Sequence, residues 1–270
     1  MAITTADGLV AALTSAQRII LQKASITSVA NFYYTLWNAT GNPGAGTLSI
    51  GNIAAGVIPT DATAGAPIIN AFTGANTGYL MTFDASFTVA GVLSVYDRIY
   101  HAGSFSTTTL HTDTLAGQPS LARVPNSDYS QLEMWLEMNV AMGATATTVT
   151  VSYQDGTAAG GTTQTATLDS NLSSLPTGRM MPFRMANSTG VQKINSVTIG
   201  GVLGAGSFNV VIQRNIVDHT TVTPNVGRPK KNPFDTGMPI VYADSCLALM
   251  VLATATTTGS LFAEGAIGNG

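Results

Sequence analysis

The chain has few charged residues and a single cysteine, and both shortages restrict what it can be. Lys, Arg, Asp and Glu together make up 9% of its 270 residues, against about 25% in an ordinary soluble domain. Cys246 alone cannot form an intrachain disulfide or a cysteine-based zinc site. It lies in the apolar run 246–252, where we expect it to be a small buried hydrophobe. Disulfide-stapled and zinc-cysteine folds are therefore excluded.

Long hydrophobic runs and a targeting signal are also missing. The apolar run 246–252 is far shorter than the roughly 20 residues that a membrane-spanning helix needs. Residues 1–7 contain no basic region followed by an apolar core, so they do not match a signal peptide. With a net charge of −3 and a pI of about 5.4, no global field attracts nucleic acid. We expect assembly in a cytoplasm, with neither a membrane nor a nucleic acid as partner.

The patterns that mark common catalytic centres do not occur. There is no Gly-x-Ser-x-Gly elbow, no phosphate-binding glycine loop and no dinucleotide fingerprint. His101 and His111, with Asp97 and Asp113 nearby, match no metal-ligand spacing. We interpret both histidines as surface or interface residues. The sequence therefore predicts a protein without enzymatic activity, cofactor or metal.

What the chain does have is apolar and uncharged polar material. Hydrophobic residues make up 45% of it, which excludes a disordered chain. Its polar surface must come from Thr, Ser, Asn, Gln and Gly, which are buried against another subunit at a lower cost than Lys or Glu. Interfaces are depleted in Lys and Glu. Composition favours a protein packed among others, a homo-oligomer and most simply a trimer; an extracellular bacterial β protein is the alternative.

The N-terminal third divides into a helical start and a long irregular stretch. Thr4 or Thr5 can cap a helix, Asp7 suits its first turn, and apolar residues recur at helical spacing. We predict helix over residues 5–23, as one helix or as two that meet near Ser15. Residues 38–78 are rich in Gly, Pro, Ala and Asn, and we expect them to drape over a surface, that of a partner included. The predicted organisation is an arm over 1–78 and a β domain over 79–270.

From residue 79 the sequence reads as short strands separated by glycine-containing turns. The clearest strand is 132–140, in which every second residue is apolar: Leu132, Met134, Leu136 and Met138. Its other face carries Glu133, Trp135, Glu137 and Asn139. Residues 148–153 alternate likewise and are expected to be its partner strand. Such a series indicates a sandwich or a barrel, and we predict an all-β, antiparallel, jelly-roll-like sandwich with a short N-terminal helix.

Four residues are candidates for contact with a partner. Trp135 shares a strand face with Glu133 and Glu137, so it is expected to be half-exposed or covered by a neighbouring chain. The two glutamates lie about 13 Å apart by strand rise, too far for a glycosidase pair, and are interpreted as solvated or interface charges. The basic cluster Arg228, Lys230 and Lys231 suits an acidic partner patch or a phosphate, or is a solvated loop.

Three segments resemble virion-associated structural proteins of tailed bacteriophages. They are 96–103, 132–140 with 143–147, and 244–251, within roughly residues 95–265. The resemblance carries over no functional residue. It implies capsid decoration (cement) proteins or tail components, which are β-rich, oligomeric and symmetric. The long helix of the main shell protein has no counterpart here.

The prediction is therefore a non-enzymatic structural component of a bacteriophage virion, most simply a capsid decoration protein. Its expected partners are further copies of itself and the major capsid protein or other virion proteins. A tail or baseplate component is the first alternative. A carbohydrate-binding or adhesin module is the second, in which Trp135, Tyr129 or Tyr153 would stack on sugars. A hydrolase with an unrecognised site is the third.

Overall fold

The computed structural model describes residues 3–72, 77–145, 148–157, 160–168, 172–202, 204–226 and 230–269. Strands account for 46% of the described residues and helices, with 3-10 turns included, for 8%. The strand ladders are antiparallel. This confirms the predicted all-β, antiparallel fold class with a short N-terminal helix. No helix in these ranges is long and apolar enough to cross a membrane.

The helices are α1 (Ala6–Thr14) and the single-turn α2 (Pro233–Thr236). The strands are, in chain order, β1 (Gln17–Lys23), β2 (Phe32–Thr35), β3 (Gly41–Asn42), β4 (Thr77–Phe87), β5 (Gly91–Ser106), β6 (His111–Thr114), β7 (Leu132–Val140), β8 (Val149–Asp155), β9 (Thr163–Leu168), β10 (Arg179–Pro182), β11 (Val191–Ile199), β12 (Ser207–Thr221), β13 (Ile240–Tyr242), β14 (Leu247–Ala253) and β15 (Leu261–Asn269).

The predicted N-terminal helix is right in its first half and wrong in its second. Thr5 caps α1 by accepting a hydrogen bond from the Gly8 amide. Residues 17–23 instead form β1, which pairs with β15. In β1 the side chains of Ile19 and Leu21 are buried and those of their neighbours face outward. Long-range pairing with β15 thus overrides a weak helical pattern.

The chain divides into two compact units. Unit 1 comprises residues 1–46, 60–97 and 216–270, and unit 2 comprises residues 47–59 and 98–215. Each unit has its own hydrophobic core. The units are interleaved along the chain, because β5 and β12 each contribute residues to both. The organisation predicted from the sequence instead consisted of two continuous segments, 1–78 and 79–270.

Unit 1 contains a five-stranded sheet with the order β13-β4-β15-β1-β3, and a ladder in which β14 pairs with β2 and with residues 91–97 of β5. Its core includes Leu21, Phe83, Val95 and Val251. Cys246 is fully buried just before β14. The prediction of a small buried hydrophobe at this position is confirmed.

Unit 2 contains a four-stranded sheet with the order β6-β11-β8-β9, and a ladder in which β7 pairs with β10 and β12. The predicted apolar face of β7 lies in its core: Leu132, Met134, Leu136 and Met138. β8 forms as predicted, but it pairs with β9 and β11. The expected pairing of β8 with β7 is wrong, because β10 and β12 occupy both edges of β7.

Candidate functional site

Trp135, the first candidate contact residue, is covered by its own chain. Only 5% of it is exposed, and its indole Nε1 donates a hydrogen bond to Glu133 Oε2 at 2.8 Å. Its neighbours across the ladder are Pro182 on β10 and Val211 on β12. The predicted half-exposed face is therefore wrong, since β7 is buried on both sides over Trp135–Met138.

The residues of the basic cluster have different surroundings. Lys230 is exposed, and its Nζ lies 2.9 Å from Glu264 Oε1. Lys231 is half-buried and exchanges both backbone hydrogen bonds with Phe83 of β4, at 2.8 and 3.2 Å. Arg228 lies outside the described residues. The surface charge predicted from this segment thus resides, in the described structure, mainly in Lys230.

The register of the five-stranded sheet places Lys230 in a larger surface. Arg18 forms a salt bridge with Glu264, although the two lie 246 residues apart. Ile20 faces Glu264 across the β1–β15 ladder, and Phe262 is its diagonal neighbour. Ile20 is 40% exposed and Phe262 is 46% exposed. We call these residues, Arg18, Ile20, Lys230, Phe262 and Glu264, the outer sheet face.

The outer sheet face combines charge with apolar area. Hydrogen bonds from Lys230 and then from Arg18 hold the pKa of the Glu264 carboxyl below its usual range. One carboxylate therefore binds two cations and leaves one net positive charge. The sequence pointed to Lys230 through its basic neighbours. It offered no sign of Arg18, which β15 brings to the same place.

Glu137 belongs to a buried ion pair. Arg98 on β5 donates two hydrogen bonds to it, Nη2 to Oε1 at 2.6 Å and Nη1 to Oε2 at 3.0 Å. Neither side chain is more than 1% exposed. Burial pushes the pKa of Glu137 upward, but the charge and hydrogen bonds of Arg98 outweigh burial and hold the pKa below its usual range. The prediction that Glu137 is solvated is wrong.

His101 lies beside this ion pair and is fully buried. Its Nδ1 is 3.0 Å from Arg98 Nη1 and 3.9 Å from Glu137 Oε2. Burial is the main reason that its pKa falls to about 4. The prediction of a surface histidine is thus wrong for His101. A sequence signal existed, since Arg98 and His101 both lie among apolar residues in a run of strand character.

His101 and His111 do not come together as a metal site. His111 is on β6, where its Nε2 lies 3.0 Å from Asp113 Oδ2. His101 contacts Glu137 instead. Across the ranges that the structure describes, no group of three His, Cys, Asp or Glu side chains could hold a metal ion.

Many charged side chains are buried rather than exposed. The chain has 11 basic and 14 acidic residues, and eight of those described are buried: Lys23, Asp97, Arg98, Arg123, Glu137, Asp155, Arg179 and Arg214. Lys23 shows how they are satisfied. Its Nζ donates to the carbonyls of Ala39, Pro43 and Gly44 at 2.8 to 3.1 Å, and burial lowers its pKa to about 8.

A polar pocket of about 250 Å³ lies on unit 2. Tyr129 lines it together with amide, hydroxyl and amine groups: Gln118, Ser120, Gln154, Gln192 and Lys193. Tyr129 is half-buried against the core. Tyr153 and Trp135, the other aromatic residues considered for stacking on sugars, are 0% and 5% exposed. Of the three, only Tyr129 lies where a ligand can reach it.

Comparisons with known proteins find little. No protein-family model matches the chain, and no curated protein matches it. Structures of infectious bursal disease virus, of the Gx and Gt strains, align with 94% of this chain and 81% of theirs. They share 8% and 10% sequence identity with it, at TM-scores of 0.18 and 0.17. Such low scores carry no argument about fold or function.

Proposed function

We propose that this chain is a non-enzymatic structural component of a bacteriophage virion, namely a capsid decoration (cement) protein that binds and stabilises the shell. The resemblance of segments 96–103, 132–140 with 143–147, and 244–251 to virion-associated proteins supports it. The structural observation that carries it is the withdrawal of charge from the surface. Because eight charged side chains are buried, a chain already poor in charge exposes still less of it.

Exposed apolar residues accompany the shortage of charge. Among the described residues, fourteen large apolar side chains are exposed, Val10, Ile68, Leu110 and Phe234 among them. Single exposed apolar residues are normal on a monomer. A surface that combines many of them with few Lys and Glu side chains has the composition of a protein–protein interface. This supports a subunit that is covered by other subunits in its working state.

We place the contact with the shell on the outer sheet face. Ile20 and Phe262 supply apolar area, and Arg18 and Lys230 supply positive charge around a single carboxylate, Glu264. Such a surface fits an acidic patch with an apolar centre on the major capsid protein. Decoration proteins are symmetric, and we expect this one to be a homotrimer.

Particle composition tests the proposal. The protein should be present in purified particles in a fixed ratio to the major capsid protein, and antibody-coupled gold should label the capsid. Gold confined to the tail would instead establish the tail or baseplate alternative. Absence of the protein from purified particles would overturn both.

A carbohydrate-binding module is the second candidate, and the Tyr129 pocket is the observation that favours it. A tyrosine edge with three glutamines, a serine and a lysine offers stacking area and hydrogen bonds of the kind that sugar hydroxyls use. A glycan array probed with the purified protein tests it. Binding that Gln154→Ala weakens, while Gln22→Ala on β1 leaves it unchanged, would favour the module. A blank array would reject it.

A further inference from the structure

Residues 47–59, which we call the strap, lie on unit 2 with no helix or strand of their own beyond one bridge at Val57. Three side chains of unit 2 donate hydrogen bonds to carbonyls of the strap: Asn209 Nδ2 to Leu48 at 2.6 Å, Tyr100 Oη to Ala55 at 2.7 Å and Arg123 Nη2 to Pro59 at 2.8 Å. The Gly103 amide donates to the Asn52 carbonyl at 3.4 Å. Val57 and His101 bind each other through both of their backbone groups, at 2.8 and 2.9 Å. Its attachment is therefore largely polar.

Apolar burial adds little to this attachment. Within the strap, all of which is described, the buried apolar side chains are Leu48, at 6% exposure, and Pro59. Ile53 is 40% exposed, and Ile50, Val57 and Ile58 are half-buried. Because hydrophobic contact supplies only part of the attachment, the strap depends on the groups that bind its backbone.

Three of those groups, Asn209, Arg123 and His101, contact the buried ion pair. Asn209, which binds Leu48, also donates to Glu137 Oε2 at 3.3 Å. Arg123, which binds Pro59, also donates to the Arg98 carbonyl at 2.9 Å. His101 binds Val57 through its backbone while its ring contacts Arg98 and Glu137. A disturbance of this cluster therefore reaches the strap at both of its ends, at Leu48 and at Val57 with Pro59.

The His101 ring has to be neutral in this arrangement. Arginine has no acceptor, so Arg98 donates to Nδ1 and the ring proton sits on Nε2. In the described structure Nε2 is buried. A second proton on Nδ1 would point at the Arg98 guanidinium. Glu137, the one acidic group facing the ring, is already bound by both terminal nitrogens of Arg98.

We propose that His101 is an acid-sensitive latch: when its ring takes up a proton, the strap separates from unit 2 while the two hydrophobic cores stay folded. The charged ring loses its bond from Arg98, and two cations then compete for one buried carboxylate. Relief comes from letting water reach the ring, and the strap is the part of unit 2 that covers this cluster through mainly polar contacts.

The pKa values of the His101 ring in the closed and released states determine how pH shifts the strap between these states. Burial, followed by the repulsion from Arg98, outweighs the attraction of Glu137 and the hydrogen bonds with Asn209 and Leu48, and lowers the pKa to about 4. In the released state the pKa of the His101 ring returns to its ordinary value of 6.5. The closed form is favoured above pH 6.5 and loses its advantage as the pH falls toward 4. These values give an opening constant about 20-fold larger at pH 5 than at pH 7.

Hydrogen exchange of the whole chain, followed by mass spectrometry of its peptides, tests the latch. Rates at pH 7, 6 and 5 are corrected for the intrinsic pH dependence of amide exchange. We expect peptides from 47–59 to exchange about 20-fold faster at pH 5, while those from β8 and β14 keep their protection. His101→Gln should abolish the change, and His111→Gln should retain it. A rise that persists in His101→Gln, or equal rises in β8 and β14, would overturn the proposal.

A second measurement keeps the proposal testable if His101→Gln does not fold. Histidine-selective NMR of the wild-type chain follows the three rings directly, and His111→Gln and His219→Gln assign their signals. The His101 ring should stay neutral down to about pH 5 in the closed form, and its protonation should coincide with exchange of the strap amides. A His101 ring that titrates near pH 6.5 with the strap still protected would reject the latch.

Discussion

The carboxylate of Asp97 accepts the Ser245 hydroxyl at 2.7 Å, and both side chains are fully buried in unit 1. Its second oxygen accepts the backbone amide of Cys246 at 3.0 Å. Residue 97 of β5 is also the ladder partner of Leu247, the first residue of β14. Asp97 therefore connects β5 to the start of the strand beside it.

Asp97→Asn replaces one of the two accepting oxygens with an amide nitrogen, which cannot accept a hydrogen bond. Because one buried donor is then left unsatisfied, the change should destabilise unit 1 by about 1–3 kcal/mol. Urea unfolding at pH 7 measures the loss. Asp7→Asn, an exposed change in the first turn of α1, is the matched control and should stay within about 0.5 kcal/mol. Equal losses in the two variants would contradict the assignment.

Glu137→Ala should cost about 3–5 kcal/mol, because it leaves the Arg98 charge buried without a partner. Glu133→Ala on the same strand removes an exposed carboxylate that accepts a hydrogen bond from the Trp135 indole, and should cost about 1 kcal/mol or less. Chemical denaturation of both variants gives the comparison. The interpretation of both glutamates as solvated or interface charges implies a change within about 0.5 kcal/mol for each. A small effect at Glu137 would mean that the ion pair is open to water.

Leu136→Ala should cost about 2–5 kcal/mol, since it creates a cavity in the core of unit 2. On a strand with one solvated face, this loss would far exceed that of Glu137→Ala. Because β7 is buried on both faces over Trp135–Met138, we expect losses of similar size. The two denaturation midpoints decide between these descriptions.

Asp155 should make the fold sensitive to acid in a second pH range. Its carboxylate accepts hydrogen bonds from the side chain of Thr157, from the Thr162 amide at 2.8 Å and from Asn187 Nδ2 at 2.7 Å. These bonds hold its pKa well below the ordinary 3.8. The stability that they supply is present above pH 3.8 and is lost as the pH falls further.

Asp155→Asn should therefore be less stable than the wild type at pH 6, and the difference should shrink at pH 3. Protonation of His101 affects the wild type and the variant alike, so it cancels in the difference between their stabilities. Urea midpoints at the two pH values provide the measurement. A difference that is unchanged at pH 3 would show that the charge of Asp155 is not the cause.

Lys230→Ala should weaken binding to the capsid more than it destabilises the subunit, since an exposed salt bridge contributes about 0–1 kcal/mol to folding. Arg184→Ala removes an exposed positive charge outside the outer sheet face and is the matched control. The amount of protein bound per particle, at low and high salt, measures the effect. Equal losses in the two variants would move the contact surface elsewhere.

Local patterns in the sequence determined part of this structure. Alternating residues established β7 and β8 as strands, Thr4 or Thr5 marked the start of α1, and an apolar run predicted the burial of Cys246. Such patterns depend on neighbours within one element, and the period of two or 3.6 reports the local backbone directly. The shortage of charge, too, was a property of the sequence alone.

Only the tertiary structure decided which faces are covered and by what. Period-two alternation shows that β7 has one apolar face, but the burial of Trp135 and Glu137 on the other depends on strands distant in the sequence. Arg98 and Glu137 are 39 residues apart, and nothing in their local surroundings specifies that they meet. The same holds for β1, whose conformation follows from pairing with β15, which lies more than 230 residues further along the chain. Long-range pairing brings these side chains together, because the free energy of burying a charge depends on partners that sequence spacing does not reveal.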